Sequence, residues 1–216
     1  MAALRALSAF VFGVCALLPG ACAGPSAKSA HANEPVLVEV TTTRGPITLE
    51  LDPAHAPITV ANFLYHVRAG HYDGTVIHRV VPGFVIQGGG WTSDLVERAK
   101  ADAAAERPDA LIKNEWQTSG LKNLRGTIAM AREKEPDSAT REFFINLADN
   151  AKLDTPREVS GNAGYAVFGR VVGGMDVVDA IAAVPTRPRP ETGVTDGSMN
   201  NVPVEAIVVT RVRSVE

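Results

Sequence analysis

Between residues 36 and 212 the chain is a succession of short, largely alternating apolar runs, each closed by Gly, Pro, Asn or Asp. A period of two puts one face of each run against a core and leaves the other wet, and turn residues between runs fold neighbours back as antiparallel partners. Val36, Val38 and Val40 share one face, Arg44-Gly45-Pro46 turns the chain, and Ile47, Leu49 and Leu51 alternate with Thr48, Glu50 and Asp52, which predicts a β-hairpin. Further strand-like runs cover 75–80 and 84–87, split by Pro82-Gly83, and then 127–131, 143–146, 166–172 and 204–212. Two stretches keep a helical period instead. Pro57 opens one, Val60, Phe63, Leu64 and Val67 form its apolar stripe, and Gly70 ends it. The other spans 175–184, with Val177, Ile181 and Val184 on one face and Pro185 as the stop. The sum predicts a mainly β fold: a closed eight-stranded antiparallel barrel capped by two α-helices, closure being the way to remove exposed sheet edges. Strand count alone equally allows a sandwich. Residues 94–120, rich in Ala and charge and interrupted by Pro108, read as an excursion with one short helix at most, and 185–203 as a Pro/Gly/Asn-rich loop.

The first 32 residues have a different character. Arg5 precedes an uncharged apolar run over 6–18, Pro19-Gly20 breaks it, and small-x-small sites follow at Ala21-Cys22-Ala23 and Ala30-His31-Ala32. This is the layout of a signal peptide with a short spacer, the run being too short to span a bilayer comfortably. The expected organisation is a signal segment over 1–32 and one domain over 33–216, in a protein that is periplasmic or otherwise exported. Both cysteines, Cys15 and Cys22, fall in the leader, so the cleaved domain holds no thiol for catalysis or a disulfide framework. Lipidation at Cys22 would tie the protein to a membrane, but Leu18-Pro19-Gly20-Ala21 fits a lipobox poorly. The net charge of −3, becoming −5 on cleavage after residue 32, and the lack of a basic run give no case for nucleic acid as partner.

Chemistry concentrates in Val76-Ile77-His78-Arg79-Val80-Val81-Pro82-Gly83-Phe84-Val85-Ile86-Gln87-Gly88-Gly89. Strand alternation puts Ile77, Arg79 and Val81 on one face and His78 and Val80 on the other. A guanidinium in mid-strand needs an acceptor or a wet groove, because an unpaired buried charge is costly. Arg79 with Phe84 and Gln87 nearby makes a binding surface; a structural arginine paired with a carboxylate fits this segment equally well. Gly88-Gly89-Gly90 lacks the Lys and helix of a phosphate loop, so close backbone packing explains it better. His55, His66, His71 and His78 form no tight metal motif, and Trp91 and Trp116 are too isolated for a nucleic-acid stacking platform.

Residues 78–89 match His-Arg-x-x-Pro-Gly-Phe-x-x-Gln-Gly-Gly without a gap, and here the sequence resembles the cyclophilins. Three further blocks follow in the family's order: Gly126-Thr127-Ile128-Ala129-Met130-Ala131, Phe143-Phe144-Ile145-Asn146 and Gly164-Tyr165-Ala166-Val167-Phe168-Gly169-Arg170-Val171. The likeness runs from about residue 35 to the C-terminus and is greatest to periplasmic bacterial members. It implies a peptidyl-prolyl cis/trans isomerase working on its outer wall, on proline-containing unfolded or exported polypeptides. Such a reaction cleaves no bond and so needs no metal or cofactor, and nothing in the sequence demands more than a monomer. Carried over by motif position, Arg79 is the catalytic arginine. Phe84, Val85, Phe144 and Leu153 line the slot for the proline ring, Tyr165 flanks it, Gln87 bonds the substrate backbone, and Ala131 and Arg132 form the edge along which the peptide lies. Four positions depart from the better-known pattern. Arg132 replaces asparagine; Glu142, among the substrate-binding positions, replaces glutamine; Lys152 replaces an aromatic; Tyr165 replaces histidine. Lys152 puts cyclosporin binding in doubt, and the alignment suggests an Arg132–Glu142 pair across the groove. Two other functions compete: a proline-peptide-binding chaperone module with incidental turnover, and a barrel carrying a small apolar ligand in a hollow interior.

Overall fold

The computed structural model describes residues 33–98 and 110–215. The expected signal segment, and the part of the excursion over 99–109, lie outside the described residues. Eight strands, β1 (Val36–Thr42), β2 (Gly45–Leu51), β3 (Thr75–Val81), β4 (Val85–Thr92), β5 (Thr127–Met130), β6 (Phe143–Asn146), β7 (Val167–Gly173) and β10 (Val209–Val215), form one antiparallel sheet in the order β10-β1-β2-β7-β5-β6-β4-β3. A separate two-stranded ladder joins β8 (Thr186–Arg187) to β9 (Val202–Pro203) within the expected loop.

The sheet curls until its edges meet, yet the expectation of full closure is overstated. Between β3 and β10 there is one bridge, Val76–Val208, with the amides of Gly74 and Ile77 donating to the carbonyls of Val209 (2.8 Å) and Ile207 (2.9 Å). The last strand begins at Val209 and not at Val204, because Val204 turns outward and its amide donates to Pro185 O. Too little of β10 is left to run alongside β3.

The interior is filled with apolar side chains, Val38, Val40, Leu49, Ile86, Ile128 and Val209 among them, so it offers no hollow for a carried ligand. Helix α1 (Pro57–Arg68) buries the expected stripe, and its Phe63 ring lies 5.0 Å from Tyr72, 5.8 Å from Phe143 and 5.2 Å from Phe168. Helix α2 (Met175–Ala182) packs through Val178 and Ile181; Val177, expected on the buried face, is half-buried over Gly45.

Residue Ala56 supplies no side-chain cap to α1. The first-turn amides, which lack partners within the helix, go instead to Glu115, whose carboxylate accepts from Ile58 N (3.1 Å), Thr59 N (2.8 Å) and Thr59 Oγ1 (2.7 Å). The described part of the excursion therefore has a structural role. Its near end, pinned by the Ile112–Ala139 bridge, brings a carboxylate to a helix N-terminus.

Candidate active site

The site begins with a β-bulge. Along the β3–β4 ladder, pairing passes from Ile77–Gly88 to Arg79–Gln87, which leaves His78 as an extra residue on β3. The extra residue shifts the alternation by one. Ile77 and Val80 both point into the core, and Arg79 points outward, so the expectation that Ile77 and Arg79 share a face is corrected. From Arg79 a continuous row of paired residues crosses the outer wall: Arg79 (β3), Gln87 (β4), Phe144 (β6), Ala129 (β5), Val167 (β7). The row runs from a cation through an amide to apolar groups.

The apolar end is a cluster of its own, separate from the core. Val85, Ala129, Phe144, Leu153 and Val167 pack together, with Phe84, Leu121, Ala131 and Tyr165 half-buried around them. Tyr165 stands edge-on to Phe144, ring centroids 5.7 Å apart. An asparagine relay fixes the slot from behind. Asn150 Nδ2 donates to Phe84 O (2.9 Å) and Asn146 Oδ1 (2.8 Å), Asn146 Nδ2 to Asn123 Oδ1 (3.1 Å), and Asn123 Nδ2 to Asp154 Oδ1 (2.8 Å) and Tyr165 O (3.2 Å). Sequence reasoning missed this relay; the signal was Asn146, a fully buried amide ending an apolar strand. Lys152 Nζ lies 4.3 Å from the centroid of Phe84, a cation over the slot's rim.

Arg79 Nη1 donates to Gln87 Oε1 at 3.1 Å. Its Nε is shielded from solvent and has no hydrogen-bond partner, and among the described residues no carboxylate pairs with it. The reading of Arg79 as a structural arginine held by a carboxylate therefore falls. Arg132 is also placed differently from expectation. Its guanidinium lies 4.5 Å from the Tyr165 ring centroid and donates to the carbonyls of Ser160, Ala163 and Gly164, at 3.0, 2.8 and 3.0 Å for Nη2. It buttresses the wall behind Tyr165 and does not pair with Glu142. Glu142 has other partners: its Oε2 accepts from Gln87 Nε2 at 2.7 Å, and the Trp91 side chain donates to it.

These elements enclose an open groove of about 610 Å³. Arg79, Phe84, Val85, Gln87, Ala131, Arg132, Phe144, Leu153 and Tyr165 all line it. Glu142 stands behind Gln87 and lines an adjoining cavity of about 310 Å³ that shares Gln87, Ala131 and Arg132. Sequence reasoning also missed the far rim, made by Asp196, Gly197, Ser198, Asn200 and Asn201. That string reads as a turn, and nothing local says it folds over a groove.

Two ionisable groups behind the row are perturbed. Although 26% of the Glu142 side chain is exposed, its carboxyl end is wedged against Gly90, Gln87 and Trp91, and burial raises its pKa from 4.5 to about 7. The two donors, Gln87 and Trp91, pull the value down, and Glu97 and Asp196 push it up. His78 is fully buried, and burial, with Arg79 beside it, lowers its pKa from 6.5 to about 3. His66 and His71 do meet, Nδ1 to Nδ1 at 2.9 Å, but among the described residues no group of three or more candidate ligands surrounds a metal position.

Residues 37–213 match the family model described as cyclophilin type peptidyl-prolyl cis-trans isomerase/CLD. A peptidyl-prolyl cis-trans isomerase of Acinetobacter baylyi is 47% identical over 185 residues, 86% of this chain and 88% of that protein. Peptidyl-prolyl cis-trans isomerase B of Escherichia coli is 42% identical over 173 residues, 80% of this chain and 96% of that protein. The crystal structure of a cyclophilin type isomerase from Cryptosporidium parvum superposes with a TM-score of 0.63 at 22% identity, covering 85% of this chain and 99% of that one, and shows the same fold. Family model and curated relatives agree, and the chain belongs to the cyclophilin-type peptidyl-prolyl cis-trans isomerases.

Proposed function

We propose that this isomerase turns over X-Pro bonds in unfolded polypeptides exported from the cytoplasm, with Arg79 as the catalytic residue. The observation that carries the assignment is the unpartnered Arg79 Nε beside the apolar cluster of Phe144, Leu153 and Val85. Rotation about the prolyl bond crosses a barrier of about 20 kcal/mol because it breaks amide resonance. No covalent bond is cleaved, so the catalyst has only to favour the twisted amide over both planar forms. In the twisted state the prolyl nitrogen becomes pyramidal and acquires a lone pair. A permanently charged N–H donor held at that nitrogen is attractive there and nowhere else along the path. The slot grips the pyrrolidine ring while the preceding residue turns. Gln87 spends its amide oxygen on Arg79 and one N–H on Glu142, which leaves a second N–H for a substrate carbonyl. The leader-like segment over 1–32 supports export as the setting.

A protease-coupled assay on a proline peptide tests this. Arg79→Ala should lose at least about two orders of magnitude in kcat/KM with an unchanged circular dichroism spectrum. A wild-type rate in that variant removes Arg79 from the mechanism. Loss of turnover with full peptide affinity separates catalysis from the chaperone reading, in which the slot alone is enough.

A further inference from the structure

We propose that Glu142 is a positioning residue, whose carboxylate holds the Gln87 amide in the one orientation that presents its oxygen to Arg79, so that turnover follows the charge on Glu142. The inference rests on the assignment of Arg79 and Gln87 above.

The reason is the polarity of a three-member chain. A guanidinium only donates hydrogen bonds, an ionised carboxylate only accepts them, and a glutamine amide does one at each end. Arg79 Nη1 donates to Gln87 Oε1 (3.1 Å), and Gln87 Nε2 donates to Glu142 Oε2 (2.7 Å). With Glu142 ionised, reversing the amide would face NH2 to guanidinium and oxygen to carboxylate, losing both bonds. With Glu142 protonated, a second arrangement opens. The carboxylic O–H donates to Gln87 Oε1, and the amide turns its NH2 toward the groove and breaks with Arg79. Arg79 then loses the contact that aims it. A glutamine at position 142 also offers both a donor and an acceptor, so it mimics the neutral acid at every pH.

The surroundings keep the carboxylate on Gln87. Trp91 donates to it, and any Cβ at position 90 would occupy the space of Glu142 Oε1, so Gly90 leaves room for the carboxyl group. The groups that face Glu142 are His78 from β3, Gln87 and Trp91 from β4, and Glu97 and Asp196 from the loops; Arg132 and Glu133 share the adjoining cavity. His78 Nε2 is 3.6 Å from Oε2, and burial keeps that ring neutral, so it does not titrate together with Glu142 near pH 7.

The test is kcat/KM from pH 5.5 to 8.5 on an N-blocked proline peptide without ionisable side chains, read by NMR exchange, for wild type, Glu142→Gln and Arg79→Ala. Wild type should gain about threefold to fivefold as pH rises through about 7, the ratio expected when a charged acceptor replaces a neutral one. Glu142→Gln should stay flat at the wild-type low-pH level. The Gln87 side-chain amide resonances should shift with the same midpoint in wild type only, a readout that a purely structural role leaves unmoved and that needs no variant. A flat wild-type profile, a Glu142→Gln profile that still rises, or Gln87 resonances blind to pH each overturn the inference. If Arg79→Ala has lost its activity when this happens, the assignment of Arg79 stands and only the role of Glu142 falls; if Arg79→Ala is active, both fall.

Discussion

His78 and Glu142 sit 3.6 Å apart behind the row that starts at Arg79 and Gln87, and their protons act on stability in opposite directions. The fold lowers His78 from 6.5 to about 3. The unfolded chain therefore binds the extra proton between those values, and acid costs stability across that window. The fold raises Glu142 from 4.5 to about 7. There the folded chain binds the extra proton; the stability this brings is complete below 4.5 and is lost as pH rises to about 7. Each one-proton slope is about 1.4 kcal/mol per pH unit. Between 4.5 and 6.5 the two cancel in wild type. Glu142→Gln removes one side of the balance, so the variant should lose about 1 kcal/mol per unit relative to wild type as pH falls through that window. Urea midpoints at half-unit pH intervals measure the difference, and parallel curves for the two proteins would contradict it. At this scale the sequence carried half the site. Arg79 stood out because a charge in mid-strand needs an explanation. Its face was misassigned because a bulge leaves no trace in an alternating pattern. The Gln87–Glu142 bond spans 55 residues and has no local signal at all.

Among the elements, α1 shows what periodicity conveys and what it hides. Val60, Phe63, Leu64 and Val67 announce the buried face at i, i+3, i+4 and i+7, and the structure buries all four. The start of the helix is another matter. Ala56 cannot cap, and the acceptor comes from Glu115, 56 residues from Thr59 and 5% exposed. Such a long-range cap is invisible to any reading of neighbouring residues. Loss of a local cap costs about 0.5–2 kcal/mol, and burying unpaired donors costs about 1–3 kcal/mol more. Glu115→Ala should therefore destabilise the domain by about 2–3 kcal/mol, with Glu115→Gln, which keeps an oxygen, losing roughly half as much. Chemical denaturation of both variants decides: a loss below about 0.5 kcal/mol in Glu115→Ala would mean that the carboxylate does not act as the cap. The strands divide in the same way. β1 and β2 lie where alternation puts them, and β6 where its short apolar run does, whereas β10 begins at Val209 because the bend at Val204 depends on a bond to Pro185 across the loop.

For the molecule as a whole, the consequence of that late start is a seam. Hydrogen-bonded ladders run unbroken from β10 through β1 around to β3, and among the described residues the circle is closed by the Val76–Val208 bridge, the amide bonds of Gly74 and Ile77, and the Val212 amide donating to Asp73 Oδ1 (2.9 Å). A barrel and an open sheet with meeting edges have the same strand count and the same alternation, so the sequence could announce eight strands but not the width of this gap. The Arg79–Gln87 row is unaffected by the gap because Arg79 belongs to the other side of its strand, tied through Gln87 to β4 and away from β10. Opening the seam breaks hydrogen bonds worth a net of about 0.5–1.5 kcal/mol each, far below the roughly 5–15 kcal/mol that holds a whole domain folded. β1, by contrast, is paired on both sides, by β2 and β10, and its amides are freed only when the barrel comes apart. Amide exchange followed by NMR should then show Gly74 and Ile77 at least about tenfold less protected than the bonded amides of β1 under native conditions, with a shallow dependence on urea, while the β1 amides track global unfolding. If Gly74 and Ile77 exchange only through global unfolding, with the urea slope of β1, the seam is as strong as a full ladder and the barrel is closed in energy despite the missing pairs.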